Sequence, residues 1–183
     1  MAHKLLILAF ILSAANAFAQ HNPEAPGQKM PPMHPMPHVE RDTEFTTIGA
    51  PLPDFMFKTI KGKVYSRDDF KNNANLFVMI FDPGCHHCQE ETKMIEESIG
   101  LFKKSKIVLI TNENFGIRLP DFIKDEQTDR YHQFTIGIDS TGIMKKIFLY
   151  TQLPQINIYD KSRKLIKIFK GTTPIDSLRQ YIQ

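Results

Sequence analysis

The chain opens with a compact apolar run, Leu5 to Leu12, which follows His3 and Lys4 and ends near Ala17-Phe18-Ala19, with small residues at the two positions that a signal peptidase reads. That pattern predicts a secretory signal peptide over residues 1–19. The competing reading, a membrane anchor, needs roughly 20 apolar residues in succession, and the uninterrupted run here is far shorter. No cysteine stands at the start of the remaining chain, so a thioether-linked lipid has no attachment point. Residues 20–44 have no hydrophobic period. Proline, methionine, histidine and polar residues dominate them, which predicts an exposed tether, extended where prolines cluster. From residue 45 the apolar pattern returns, and residues 45–183 are expected to form one folded domain.

Within that domain two periods alternate. Phe55 to Thr59 and Val64-Tyr65 read as short strands around the turn Lys61-Gly62-Lys63, and Ser66 followed by Asp69 caps a short helix, Arg67 to Lys71. Leu76 to Asp82 is a continuous apolar run of the kind found in strands covered on both faces. After the turn residues Pro83-Gly84 the period changes to helical: Met94, Ile95, Ile99 and Phe102 fall near one face, and Lys103, Lys104 and Lys106 gather at the far end, where the helix dipole favours cations. Ile107 to Thr111 is a second buried strand, which makes the segment a βαβ unit with parallel strands. Beyond it the pattern predicts a helix over Pro120 to Thr128, a strand over Phe134 to Ile138 and a helical region over Thr141 to Leu149. A hairpin follows, Gln155 to Asp160 and Leu165 to Phe169 joined by Lys161-Ser162-Arg163. The closing helix is expected over Pro174 to Ile182 with Thr173 as its cap. The fold class is α/β, a central mixed β-sheet flanked by helices on both faces.

Composition leaves this picture in place and removes some functions. Hydrophobic residues make up 42% of the chain and the formal charge is +3, with lysines and acids interspersed along the second half. This predicts solvated surfaces rather than a basic patch, and no nucleic-acid partner. The tether carries one chemical possibility. Met30, Met33 and Met36 recur every third residue with His34 and His38 between them, a set of soft ligands suited to Cu(I); a methionine-rich linker without metal is the plainer alternative.

The candidate chemistry lies in Cys85-His86-His87-Cys88, which holds both cysteines of the chain, at the point where a buried strand gives way to a helix. A thiolate rather than a thiol attacks a disulfide. Cys85 at the helix start meets unsatisfied backbone amides and the positive end of the dipole, which favour negative charge. His86 and His87 can add hydrogen bonds or partial positive charge. Cys85 is therefore expected to be the exposed nucleophile and Cys88, about one turn on, the resolving thiol. Stabilising the thiolate stabilises the reduced pair, so the histidines lean toward an oxidising protein. A redox-active Cys85–Cys88 disulfide needs no organic cofactor.

Together these motifs resemble the thioredoxin-fold superfamily, and within it the exported TlpA/ResA-like thiol:disulfide oxidoreductases of bacteria. The resemblance covers Ile48 to the C-terminus and rests on Gly49, Pro53 and Phe55, on Phe81-Asp82-Pro83, on the CxxC and on Leu153-Pro154 ahead of a strand. It implies a thioredoxin-like fold and a monomer working in the periplasm or another extracytoplasmic space. The partners it implies are protein thiols or disulfides and a redox partner oxidoreductase, with no stable membrane insertion after signal cleavage. It also implies a cis peptide bond at Pro154, which would present backbone to the substrate, and proton handling by Glu91; a turn proline and a surface glutamate are the plainer readings. The family often buries an acidic residue on the strand before the cysteines. Val78, Met79 and Ile80 stand there instead, which leaves Glu91, a histidine or water to move the proton of Cys88. His132 has no motif around it and is expected at the surface.

Three other functions compete. A peroxiredoxin would need PxxxTxxC, but Asp82 replaces the threonine and Val78 the proline. A copper-delivery protein of the same fold would commonly use CxxxC with a distant histidine, and here only the Met/His tether with the CxxC argues for copper. A zinc module could use the cysteines and histidines, yet no second ligand pair follows at suitable spacing, and His86 and His87 are expected on different sides of the helix start.

Overall fold

The structure, a computed structural model, describes residues 43–183. The expected signal peptide, nearly all of the tether and its Met30, Met33, His34, Met36 and His38 lie outside the described residues. The described residues open on a 3-10 turn, Thr43–Thr46.

Among the described residues seven strands form one sheet: β1 (Met56–Lys58), β2 (Val64–Ser66), β3 (Leu76–Ile80), β4 (Lys106–Asn112), β5 (Phe134–Asp139), β6 (Gln155–Tyr159) and β7 (Leu165–Lys170), in the order β2-β1-β5-β4-β3-β6-β7. The β3–β4 and β4–β5 pairs are parallel. The outer pairs are antiparallel, so the sheet is mixed as expected. Among the described residues five α-helices accompany it: α1 (His86–Glu97), α2 (Glu113–Gly116), α3 (Leu119–Asp125), α4 (Ile143–Phe148) and α5 (Ile175–Arg179).

All five residues of β3 are buried, which is why that run carries no polar alternation. Its side chains divide between two cores. Leu76, Val78 and Ile80 join Phe55, Phe57, Phe70, Met144 and Phe148 on one face. Phe77 and Met79 join Ile95, Phe102, Phe122 and Leu178 on the other. The sheet is thus covered on both sides, by α4 on one and by α1, α3 and α5 on the other.

Several boundaries differ from the expected ones, each for a local reason. The Arg67–Phe70 segment is a single 3-10 turn, with Asp69 Oδ2 accepting from the Ser66 amide at 2.7 Å and from its hydroxyl at 3.0 Å. The helix that begins at His86 ends at Glu97 and continues only as a 3-10 turn, Ile99–Leu101. Thr173 is not the cap of α5; Pro174 holds that position, because the Thr173 hydroxyl donates to Gly171 O and its amide donates elsewhere. The last helix is also shorter than Pro174 to Ile182, since the chain turns away so that Tyr181 O accepts from Asn75 Nδ2 at 2.8 Å.

The β1–β5 contact depends on a missing side chain. A Cβ on Gly137 would collide with the Phe57 ring and stand 2.7 Å from the Lys58 carbonyl oxygen. Neither the core ring nor the strand backbone can give way cheaply. Gly137→Ala is expected to destabilise the fold by about 1–3 kcal/mol, read as a lower denaturant midpoint with an unchanged m-value.

Candidate active site

The reactive segment sits at the carboxyl end of β3, where the strand ends and α1 begins. Asp82 Oδ1 accepts from the Gly84 amide at 2.8 Å, and Asp82 O accepts from the Cys85 amide at 3.0 Å, closing a tight turn. Cys85 is the N-cap of α1; its carbonyl accepts from the amides of Cys88 and Gln89.

The two thiols are free and stand in unlike surroundings: Cys85 is partly exposed, whereas Cys88 is 0% exposed within the core that contains Phe81 and Ile95. Burial pushes the Cys88 thiol far up from its ordinary value. The backbone amide of Asp82 pulls it back in part, and hydrogen bonding with Cys85 raises it further. An outer thiol can meet another molecule; the inner one can meet only its neighbour.

β6 lies antiparallel to β3 with Gln155 opposite Ile80, which carries the preceding Leu153-Pro154 to the same edge of the sheet as the cysteines. The Leu153–Pro154 bond is cis. Pro154 O accepts from Gly171 N at 2.8 Å, and Leu153, like Cys85, packs against the margin of the core that holds Cys88. Gly171 has φ +76°, and a Cβ there would stand 2.7 Å from Gln152 Nε2. A glycine is needed at that crossing.

Glu91 lies three residues beyond Cys88, on the same face of α1. It is 0% exposed. One carboxylate oxygen accepts from the Thr173 amide at 2.7 Å and the other is buried without a partner. Burial raises its pKa to about 7, opposed by the Thr173 hydrogen bond. A polar helix position that reads as solvated is therefore a buried acid, about one helical turn beyond the inner cysteine. The stretch Val78-Met79-Ile80 is buried and offers no carboxylate.

The histidines are placed differently from expectation. Both are exposed and both turn to Glu90: His86 Nε2 is 3.1 Å from one of its carboxylate oxygens and His87 Nδ1 is 3.3 Å from the other. Among the described residues neither imidazole hydrogen-bonds a thiol, so their expected tuning of the Cys85 thiolate has no direct contact behind it. Nor do they point to different sides of the helix start, since the long Glu90 side chain is i+4 from one and i+3 from the other. Among the described residues no group of three histidine, cysteine, aspartate or glutamate side chains is placed to hold a metal ion. His132 is exposed.

Arg118 is an addition that no motif announced. Its guanidinium donates to Asp82 Oδ1 at 2.6 Å. A Cβ on Gly84 would stand 2.8 Å from its Cζ and Nε. Glycine before Cys85 thus leaves room for Arg118, 36 residues beyond Asp82 in the chain, to lie across the reactive turn.

No protein-family model matches the chain. Over 137 residues it is 20% identical to the thiol-disulfide oxidoreductase ResA of Geobacillus thermodenitrificans, covering 74% of this chain and 76% of that protein. Among solved structures it resembles the thioredoxin domain of a thiol-disulfide oxidoreductase from Bacteroides vulgatus, with TM-score 0.63 and 17% identity over 75% of this chain and 99% of the other. StoA from Bacillus subtilis gives TM-score 0.57 and 19% identity over 71% and 96%.

Proposed function

The chain has a thioredoxin-like fold, and we propose that it is a thiol-disulfide oxidoreductase acting on protein thiols through Cys85 and Cys88. The observation that carries this reading is the unequal burial of two adjacent thiols at a helix start, beside a cis-proline. The similarity to ResA supports it.

In the reducing direction the Cys85 thiolate attacks one sulfur of a substrate disulfide. A Cys85–substrate disulfide forms, and the second substrate sulfur leaves as a thiolate. Cys88 then gives up its proton and attacks Cys85 Sγ. The intramolecular disulfide forms, the mixed disulfide breaks, and the first substrate sulfur departs; two electrons pass from the Cys85–Cys88 pair to the substrate. The oxidising direction is the reverse. Glu91 takes the proton from Cys88, a task that suits a buried carboxyl with a pKa of about 7. Pro154 offers its backbone to the substrate chain. The redox group is the cysteine pair itself, with no organic cofactor, and the working place is outside the cytoplasm with a second oxidoreductase resetting the pair. Among the described residues no helix is long and apolar enough to cross a membrane.

The test is turnover of a protein disulfide, such as insulin, with a small dithiol as electron source. Catalysed reduction above the dithiol alone is the expected result; no acceleration in that direction, together with no oxidation of a reduced protein by the disulfide form, would remove the proposal.

A further inference from the structure

Arg118 ties the reactive turn to a part of the chain that takes no part in the exchange itself. It follows α2, which is pressed against β5 because residue 116 is glycine: a Cβ there would stand 2.9 Å from Ile138 Cδ1. The next residue, Ile117, is turned outward and is 86% exposed. Between α2 and β1 lies a cleft of about 390 Å³, with Ile60, Ile117 and Ile138 on its lining and Lys58 and Glu113 also lining it.

One exposed isoleucine needs no explanation. Three aliphatic side chains around one cleft, with the next residue lying on the turn before Cys85, are a different matter. We propose that this cleft is a specificity subsite that takes an apolar side chain of an extended polypeptide substrate, a few residues along from the cysteine under attack. The inference rests on the oxidoreductase reading and names its substrate class. Continuity decides the occupant: Ile117 lines the cleft and the next residue, Arg118, lies against Gly84 and Asp82 of the turn before Cys85, so the cleft adjoins the turn that a chain joined to Cys85 must meet. The opposite charges of Lys58 and Glu113 balance each other and favour the dipoles of a peptide backbone over a ligand with net charge. The ion pair of Arg118 with Asp82 keeps cleft and turn in fixed register.

The test uses pairs of disulfide-linked peptides that differ at one position, leucine or serine, moved stepwise away from the cysteine. The wild type is expected to favour leucine about tenfold in kcat/KM at one or two spacings. Ile117→Asp, at a position that contributes little to the core, is expected to bring that ratio close to one. No leucine preference at any spacing, or a preference that survives in Ile117→Asp, overturns the subsite while peptide exchange continues. Self-association of the wild type that Ile117→Asp abolishes would give the surface to a second copy of the chain and likewise overturn the proposal. If neither peptide nor glutathione disulfide is exchanged at all, the oxidoreductase reading fails and the subsite with it.

Discussion

Cys85→Ala is expected to reduce protein-disulfide turnover to the uncatalysed background, whereas Cys88→Ala is expected to accumulate a covalent adduct with the substrate. The asymmetry follows from burial. Cys85 is the partly exposed thiol, so its loss removes the nucleophile. Cys88 is wholly enclosed, so a substrate sulfur cannot reach it, and its loss removes only the step that releases the mixed disulfide. Non-reducing electrophoresis with mass spectrometry of the trapped species checks both halves. Equal activity of the wild type and Cys85→Ala, or adducts formed through Cys88, would contradict the assignment.

Glu91→Gln is expected to change both the pH dependence of stability and the release step. In the folded chain the carboxyl holds its proton up to about pH 7, against an ordinary value of 4.5. Between those values the folded state binds more protons than the unfolded one. Stability from the protonated group is therefore fully present below 4.5 and is lost as pH rises through about 7. That displacement corresponds to about 3 kcal/mol. Glu96, raised to about 7 by burial and then by Glu126 and Glu97, adds to the same slope, with a smaller share because it is partly exposed. Glu91→Gln should flatten the fall in stability between pH 5 and pH 8 and leave the Glu96 part. The buried amide donor that it creates shifts the whole curve down by about 1–3 kcal/mol without adding slope. In the reaction, loss of the base should slow release of the mixed disulfide roughly 100-fold. Denaturant midpoints at the two pH values and the decay of the adduct are the measurements. An unchanged slope with an unchanged release rate would show that Glu91 is only a packing residue.

Much of this was legible in the residues. The run Leu76 to Ile80 lacks any polar member because both faces of β3 are covered, and local sequence carries that information. The cysteines announce themselves by spacing, and Pro154 by its place before a strand. Glu91 was ambiguous because Glu90, Glu91 and Lys93 read alike along a helix. What separates them is the Gly171–Thr173 loop, which covers one face of α1 from 82 residues away. Arg118 was invisible for the same reason. The four-residue α2 is too short to show a period, and its one local sign is Asn112, whose side chain accepts from Phe115 N at 3.2 Å. Adjacent helix positions diverge at the backbone, yet the long Glu90 side chain gathers both histidines, which spacing alone does not reveal.

The hydrogen bonds around Thr173 join three parts of the site that are far apart in the chain. The Thr173 amide holds Glu91, its hydroxyl holds Gly171 O, and the Gly171 amide holds Pro154 O. Thermodynamic reciprocity then ties two events usually treated separately. If a substrate strand settling on Pro154 tightens or loosens this chain of bonds, it alters the proton affinity of Glu91 by some factor. The same factor must govern how strongly proton loss from Glu91 alters substrate affinity. Binding and proton transfer are in that sense two readings of one coupling energy, held in a three-residue loop that contributes no side chain to the chemistry.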